Sequence, residues 1–165
     1  MDATLRSADG LDAAFLTDML VEAADWRHQG PPDPERERRA LADVKAARYV
    51  EGWQRAGDLG VVAVDADGRP VGACWARLFT AAEPAYGYIA DDVPELAIGL
   101  VRERRGEGLG RVLLRELITR ARGTGHARIS LAVDDDNPAL RLYTGEGFVV
   151  TERRPTAVTM VRGLA

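Results

Sequence analysis

The chain has 165 residues, of which 46% are hydrophobic and 29% charged, and its formal net charge is −4. These values are ordinary for one globular domain, 1–165, that buries a real core. The acidic balance argues against a general nucleic-acid surface, and no apolar run approaches the length that crosses a bilayer. Because the N-terminus also has no apolar leader, we expect a cytoplasmic protein without nucleic-acid or membrane partners.

Several residue types are so scarce that they exclude familiar chemistries. Cys74 is the only cysteine, so an intramolecular disulfide and a cysteine-based metal cluster are ruled out. Lys45 is the only lysine among 22 basic residues, which removes a Walker-type phosphate loop and argues against Schiff-base chemistry. No serine lies in Gly-x-Ser-x-Gly, and the two histidines lack metal-ligand spacing. We therefore expect neither a hydrolase triad nor a metal site.

The first half of the chain mixes helices with a β-hairpin. The patterns predict a strand, two helices and two hairpin strands, in ATLRSA (3–8), GLDAAFLTDMLVEAAD (10–25), PPDPERERRALADVKAARYVEGW (31–53), LGVVAV (59–64) and RPVGACWARLF (69–79). Apolar residues recur at helical spacing from Leu11 to Leu20. Asp33 and Pro34 are typical of a helix start, and Asp67-Gly68 is typical of a hairpin turn.

The second half alternates strands and helices. The predicted elements are a strand ELAIGLV (95–101), a helix over 108–123, a strand ARISLAV (127–133), a short helix NPALRLYTGE (137–146), and strands FVV (148–150) and TAVTMVR (156–162). The long helix should bury one side, formed by Leu109, Val112, Leu113, Leu117, Ile118 and Ala121. A hairpin followed by strand, helix, strand, helix and strand indicates an α/β fold with a mixed sheet.

The segment RRGEGLGR, Arg104–Arg111, places three glycines directly before the long helix. Glycine costs backbone entropy there, so the pattern indicates either a tight turn or an anion that must reach the amides. A helix N-terminus has unpaired amides and the positive end of the dipole, and five arginines lie within 102–115, so an anion site is favoured. The spacing lacks Gly-x-Gly-x-x-Gly, which argues against a Rossmann site, although a different nucleotide phosphate remains an alternative.

Two motifs in this half resemble those of a known family. LAIGLVRERRGEGLGRVLL is similar to the acetyl-CoA signature of the GNAT superfamily, Arg/Gln-x-x-Gly-x-Gly/Ala after a central strand. NPALRLYTGEGF resembles its second signature, with the alanine one place early at Ala139. Both occur in the family's order and cover about residues 94–150. The resemblance implies a GNAT-like fold, with a splayed central mixed sheet flanked by about four helices.

The resemblance also implies where acetyl-CoA binds. In the family the pantetheine arm enters between the splayed strands and pairs with the central strand, here Ile98, Gly99, Leu100, Val101 and Arg102. The pyrophosphate rests on the loop amides, here those of Arg105, Gly106, Glu107, Gly108, Leu109, Gly110 and Arg111. Asn137 would contact the cofactor arm, although Asn137-Pro138 is also a good helix start. Arg102 departs from the family, in which proline is frequent at this place.

Two side chains take catalytic roles by the same resemblance. Tyr143 corresponds to the general acid near the sulfur of CoA, although a tyrosine before Gly-Phe can also be a core residue. Glu95 corresponds to the glutamate that activates the amine, and strand alternation places it on the sheet face opposite Ile98 and Leu100. Asp91, Asp92 or a water molecule are alternatives for this base.

The amine acceptor should contact the first two helices, their connection and the loop before the central strand. Its candidate contacts are Trp26, Arg27, His28, Trp53, Tyr86 and Tyr88, each of which can instead serve packing. Trp75 and Cys74 are expected in the core. Nothing in the sequence identifies the acceptor, and a homodimer, which is common in the family, is left open.

These observations predict an N-acetyltransferase that moves the acetyl group of acetyl-CoA, its cosubstrate, to a primary amine of a small molecule or peptide by direct attack in a ternary complex. A non-catalytic acyl-CoA-binding module on the same fold is the alternative. It would bind the cofactor without transferring the acetyl group.

Overall fold

A computed structural model describes residues 2–31 and 33–165, which form one seven-stranded sheet and five α-helices. The strands are β1 (Thr4–Ser7), β2 (Leu59–Val64), β3 (Pro70–Arg77), β4 (Glu95–Leu100), β5 (Arg128–Asp134), β6 (Val149–Arg153) and β7 (Ala157–Gly163). The helices are α1 (Ala13–Ala24), α2 (Glu35–Ala42), α3 (Val44–Ala47), α4 (Leu109–Gly123) and α5 (Ala139–Gly145). Short 3-10 turns occupy Gly10–Asp12 and Arg102–Arg104.

The strand order is β1-β2-β3-β4-β5-β7-β6. β4 and β5 run parallel, whereas each other neighbouring pair in the described sheet is antiparallel. The predicted hairpin turn joins β2 to β3, where Gly68 has a φ of +82° and its amide donates to the Asp65 carbonyl at 3.0 Å. The mixed α/β sheet predicted from the sequence is confirmed.

Helices cover both faces of the sheet, and strand alternation divides the apolar residues between two cores. On one face, α4 packs its leucines chiefly against β2 and β3, as at Leu113 and Val61. On the other, α1 packs on β4 and β3, and the segment after α3 joins the same core, as at Leu16, Tyr49 and Trp75. We call these the α4 face and the α1 face.

The helical segment predicted over 31–53 is divided in two. Asp43 adopts an extended conformation (ψ 112°) that ends α2, and its carboxylate accepts the amides of Lys45 and Ala46 to begin α3. A side chain that caps a new helix competes with continuation of the old one. For this reason the described chain has five helices instead of about four.

Two apolar residues of the predicted helices are exposed: Leu11, for which no surface was predicted, and Val112, which was predicted on the apolar side of the long helix. Leu11 is 93% exposed because it lies in the 3-10 turn before α1, where Asp9 caps the chain. Val112 is 37% exposed, and Leu114 is buried in the α4 face instead. The core tryptophan and cysteine were placed correctly, since Trp75 and Cys74 are both fully buried in β3.

Candidate active site

β4 and β5 separate almost as soon as they pair. Their register contains a single pair, Glu95 with Ser130, at which the Ser130 amide donates to the Pro94 carbonyl at 3.0 Å. Toward their carboxyl ends the two strands pair no further in the described chain. The splayed central strands implied by the family resemblance are therefore present.

Only alternate residues of β4 direct their backbone into this gap. The Val101 amide donates to the Val71 carbonyl at 2.9 Å, so residues 97, 99 and 101 present their peptide groups to β3. Ile98 and Leu100 consequently present theirs toward β5. Of the strand residues predicted to pair with a cofactor arm, these two have the free peptide groups, whereas Gly99 and Val101 do not.

Gly99 of β4 is in close contact with α1. A Cβ at this position would lie 2.3 Å from the Met19 carbonyl oxygen, so its bare backbone lets α1 lie directly on β4. That contact brings the carboxyl end of α1 over the gap.

The glycine-rich loop exposes its amides to solvent. Gly106 and Gly108 have φ values of +79° and +84°, which L-residues with side chains rarely adopt, and a Cβ on either would meet open space. Among the described residues, no acceptor is found for the amides from Gly106 to Arg111. The Arg105 amide is different, because it already donates to the Arg102 carbonyl at 3.2 Å.

The three glycines before α4 do not all have the same structural reason. Gly106 and Gly108 are required by the left-handed turn itself. Gly110 lies inside α4, and a Cβ there would make only ordinary contacts, 3.7 Å from Leu100 and Leu142.

The arginines around the loop are engaged by the protein. Arg102 donates to the carbonyls of His28 and Gly30, Arg104 pairs with Glu107 and Asp2, and Arg105 pairs with Glu22. Arg111 and Arg115 share Glu146. The arginine density that favoured an anion above is therefore accounted for by contacts within the protein, and the groups left for an anion are backbone amides.

Tyr143 lies on the α4 face and is 6% exposed. Its ring meets Phe148 edge-on, with the centroids 6.0 Å apart. Burial and the neighbouring Cys74 raise its pKa above the usual 10, so it stays protonated at neutral pH. In the part of the chain that the structure describes, its hydroxyl has no hydrogen-bond partner. The Tyr143 ring therefore packs in the core, while its hydroxyl can still donate a hydrogen bond.

Asn137 acts as a cap in this structure. Its Oδ1 accepts the Ala139 amide at 2.9 Å at the start of α5. This bond leaves the side-chain NH₂ as the group that a ligand could use.

Glu95 is the buried carboxylate of the site, with 1% of its surface exposed. Its Oε2 accepts the Tyr49 hydroxyl and the Gly87 amide, the latter at 2.9 Å, whereas Oε1 has no partner among the described residues. Burial raises the pKa of Glu95 to about 7, although the two hydrogen bonds oppose this effect. The predicted alternation is confirmed, since Ala97 packs in the α1-face core and Ile98 against the α4-face core.

Asp91 and Asp92, the alternative bases, are exposed loop residues. Asp91 accepts the Tyr88 hydroxyl and the Ala81 amide. Neither is buried, as Glu95 is.

The segment after α1 bridges the diverging strands. The Trp26 indole donates to Asp134 at the end of β5 at 2.8 Å, and Arg27 pairs with Asp134 and Asp136. Arg102 holds the same segment from the other side, through the His28 carbonyl at 3.0 Å. The structure thus brings Trp26, Arg27 and the His28 backbone together over the gap.

The remaining acceptor candidates fall into two groups. Trp53 is a core residue, whose indole donates to the Asp9 carbonyl at 2.8 Å. Tyr86 is 41% exposed and donates to Asp43, while Tyr88 packs against the α1-face core. Both tyrosines flank Gly87 and therefore lie beside Glu95.

Tyr49, Gly87 and Ser130 surround Glu95, and Arg154 acts on its carboxylate through space; none of the four was found from the sequence. The Ser130 hydroxyl donates to the Gly87 carbonyl at 2.8 Å and holds the loop that contacts Glu95. These residues come from four separate segments, and no local motif marks them.

No cluster of three His, Cys, Asp or Glu side chains in residues 2–31 and 33–165 is arranged to hold a metal ion. No helix in those residues is long and apolar enough to cross a bilayer.

The chain belongs to the acetyltransferase (GNAT) family, whose family model matches residues 19–148. The family predicted from the two motifs is thereby confirmed.

Two similar proteins are mycothiol acetyltransferases. That of Pseudarthrobacter chlorophenolicus is 34% identical over 134 residues, which cover 79% of this chain and 38% of the relative. That of Frankia alni is 33% identical over 145 residues, which cover 86% and 40% of the two chains. The chain thus spans about two fifths of the length of these relatives.

Solved structures share the fold over nearly the whole chain. The phosphinothricin acetyltransferase of Sinorhizobium meliloti, in complex with AcCoA, is 25% identical with a TM-score of 0.67, over 100% of this chain and 90% of that one. The PaiA N-acetyltransferase of Thermoplasma acidophilum, in complex with coenzyme A, is 18% identical with a TM-score of 0.69, over 99% of each chain. These matches confirm the predicted GNAT-like fold.

Proposed function

We propose that this chain transfers the acetyl group of acetyl-CoA to a primary amine by direct attack in a ternary complex. The observation that carries the proposal is the gap between β4 and β5, at whose start Glu95 lies on the α1 face, while Tyr143 is buried on the opposite, α4 face of the sheet. A thioester held between the strands would be reached by a base from one side and by an acid from the other.

The cofactor would follow the unpaired backbone. Its pantetheine arm would pair with Ile98 and Leu100, and its pyrophosphate would rest on the amides from Gly106 to Arg111, at the positive end of α4. The S. meliloti relative, which holds AcCoA on a similar fold, supports this assignment.

The attacking amine must first lose its proton. An alkylamine has a pKa near ~10, and a carboxylate with an ordinary pKa is a weak base toward it. Glu95, whose pKa is about 7, is better matched. Glu95 would first take a proton from the ammonium group, the neutral amine would then attack the carbonyl carbon, and a gap-facing amide would stabilise the oxyanion. On collapse the nitrogen would lose its second proton to the released thiolate.

Collapse of the intermediate would release CoA as a thiolate. Since a thiol has a pKa near ~8.5, full proton transfer from Tyr143 is unnecessary, and a hydrogen bond from its hydroxyl is sufficient to assist departure.

The test is release of free CoA thiol from acetyl-CoA in the presence of a panel of amines. We expect Glu95→Gln to lower kcat/KM by about 10²–10⁴-fold, and Tyr143→Phe to lower it by about 10–1000-fold. Asp92→Asn, which removes an exposed carboxylate nearby, serves as the control and should leave kcat/KM close to that of the unmodified chain. Wild-type rates in both catalytic variants would contradict the mechanism, and cofactor binding without CoA release would favour the non-catalytic alternative.

A further inference from the structure

Two buried side-chain atoms of the described chain have no hydrogen-bond partner, and they carry opposite charge. One is Glu95 Oε1 and the other is Arg154 Nη2. An unpaired buried polar group is costly, and more so when it is charged, so folded proteins keep few of them without a reason. Glu95 has a role in the proposed function, but Arg154 has none so far.

Arg154 lies in the turn between β6 and β7 and extends over the α1 face. Its Nη1 donates to the Thr159 hydroxyl at 2.8 Å. Thr159 is fully buried and lies opposite Ala132 of β5, on the face away from Met160 and the α4-face core. The guanidinium is therefore held on the same face of the sheet as Glu95.

Gly87 lies between the two charged groups. A Cβ on this glycine would stand 2.9 Å from the Ala132 nitrogen, so the loop runs directly over the β5 residue that neighbours Thr159. The Gly87 amide also donates to Glu95 Oε2. A continuous series of contacts thus links Arg154 to Glu95 through Thr159, Ala132 and Gly87.

The two charges interact without touching. The Arg154 guanidinium favours the ionised forms of Glu95 and Tyr86 through space. No ion pair joins Arg154 to Glu95 in residues 2–31 and 33–165; the carboxylate that Arg154 contacts is that of Glu152, 3.6 Å from Nη1 and largely exposed. Nη2 therefore remains free for a second acceptor.

We propose that the amine acceptor also carries a carboxylate, with its amine at Glu95 Oε1 and its carboxylate on Arg154 Nη2, as in a free amino acid. A zwitterion of this kind satisfies both unpaired atoms at once and matches the charge of each. The proposal rests on the proposed function, because it assigns the acceptor of the same reaction.

The experiment compares matched acceptors that differ only in the carboxylate. CoA release is measured with saturating acetyl-CoA for a set of amino acids, their carboxamides and their decarboxylated amines. A hydrogen bond to a charged group contributes roughly 1.5–3 kcal/mol, so the best amino acid should exceed its carboxamide by about 10–100-fold in kcat/KM. Arg154→Gln should remove this preference by lowering kcat/KM for the amino acid alone, and Arg154→Lys should restore part of it.

Arg153→Gln is the matched control, since it removes the same charge from an exposed neighbour in β6. The preference is a ratio within one protein preparation, so partial unfolding of a variant does not alter it. Equal use of amino acid and carboxamide by the wild type, or an equal loss with both in Arg154→Gln, overturns the inference and leaves acetyl transfer standing. No CoA release with any acceptor contradicts the proposed function itself.

Discussion

The Glu95 carboxylate has two unlike oxygen atoms. Oε2 is held by the Tyr49 hydroxyl and the Gly87 amide, and Oε1 is free. Burial alone would disfavour the charged form further, and the two donors moderate that effect. Tyr49 therefore both orients the carboxylate and sets how readily it takes a proton.

Replacing Tyr49 by phenylalanine should change the pH dependence of the reaction. Loss of a donor that stabilises the carboxylate raises the pKa of Glu95 above its value of about 7. Because the deprotonated form is the base, the rising limb of kcat/KM against pH should move upward by roughly one pH unit. The profile is measured between about pH 5 and pH 9. A lower rate with an unshifted limb would mean that Tyr49 has only a packing role.

At the scale of elements, the loop before α4 has a constrained backbone conformation. The chain turns through two left-handed glycines and enters the helix with no side-chain cap at its N-terminus. A helix start of this kind depends on water or a ligand to satisfy its amides. The ion pairs of Arg104 and Arg105 hold the loop in place on the protein side.

Gly108→Ala should therefore have two separable effects. The left-handed conformation makes the alanine strained by about 1–2 kcal/mol, which lowers the free energy of unfolding in urea. The added methyl group projects into the open space above the loop, so acetyl-CoA binding, measured by calorimetry, should weaken by about tenfold or more.

Gly68→Ala is the matched control. Its φ of +82° is similar and its Cβ also meets open space, but it lies in the β2–β3 hairpin. The same loss of stability is expected there, without a change in acetyl-CoA affinity. Unaltered affinity in both variants would mean that the glycines serve the turn alone.

At the scale of the whole molecule, the gap separates two sets of strands that share the α4-face core. β1 to β4 lie on one side and β5, β7 and β6 on the other, with Glu95 and Ser130 as the sole register pair of the described strands across it. The segment after α1 adds a second bridge through Trp26 and Asp134. A ligand that pairs with β4 and lies along β5 would add a third, so its binding should stabilise the entire fold.

Thermal unfolding measures this effect directly. At about a hundred times its dissociation constant, a ligand that binds only the folded state adds roughly 2.7 kcal/mol, which for a chain of this size raises Tm by several degrees. We expect this increase with acetyl-CoA and with CoA. NAD and ATP should leave Tm unchanged, and stabilisation by either of them without an effect of acetyl-CoA would assign the loop to another phosphate.

Much of the fold follows from local patterns. Alternation along ELAIGLV placed Glu95 on the correct face, and the hairpin turn and the end of α4 at Gly123 were found at their predicted positions. Such features depend on residues within a few positions of one another. Where a local signal had a competitor, the bounds of an element changed: Asp43 divides one predicted helix in two, and a 3-10 turn at Gly10–Asp12 precedes α1.

The family, the succession of strands and helices along the chain, and the two motifs could be predicted from the sequence, because each depends on residues in a short stretch of chain. The pairing of charged side chains, in contrast, depends on the tertiary structure. The fold paired the loop arginines with Glu22, Glu107 and Glu146, and it placed Tyr49 against Glu95 across 46 positions of sequence. It also left one oxygen of Glu95 and one nitrogen of Arg154 unpaired. These two atoms lack a hydrogen-bond partner because they are buried, since in an isolated segment water would bind to them.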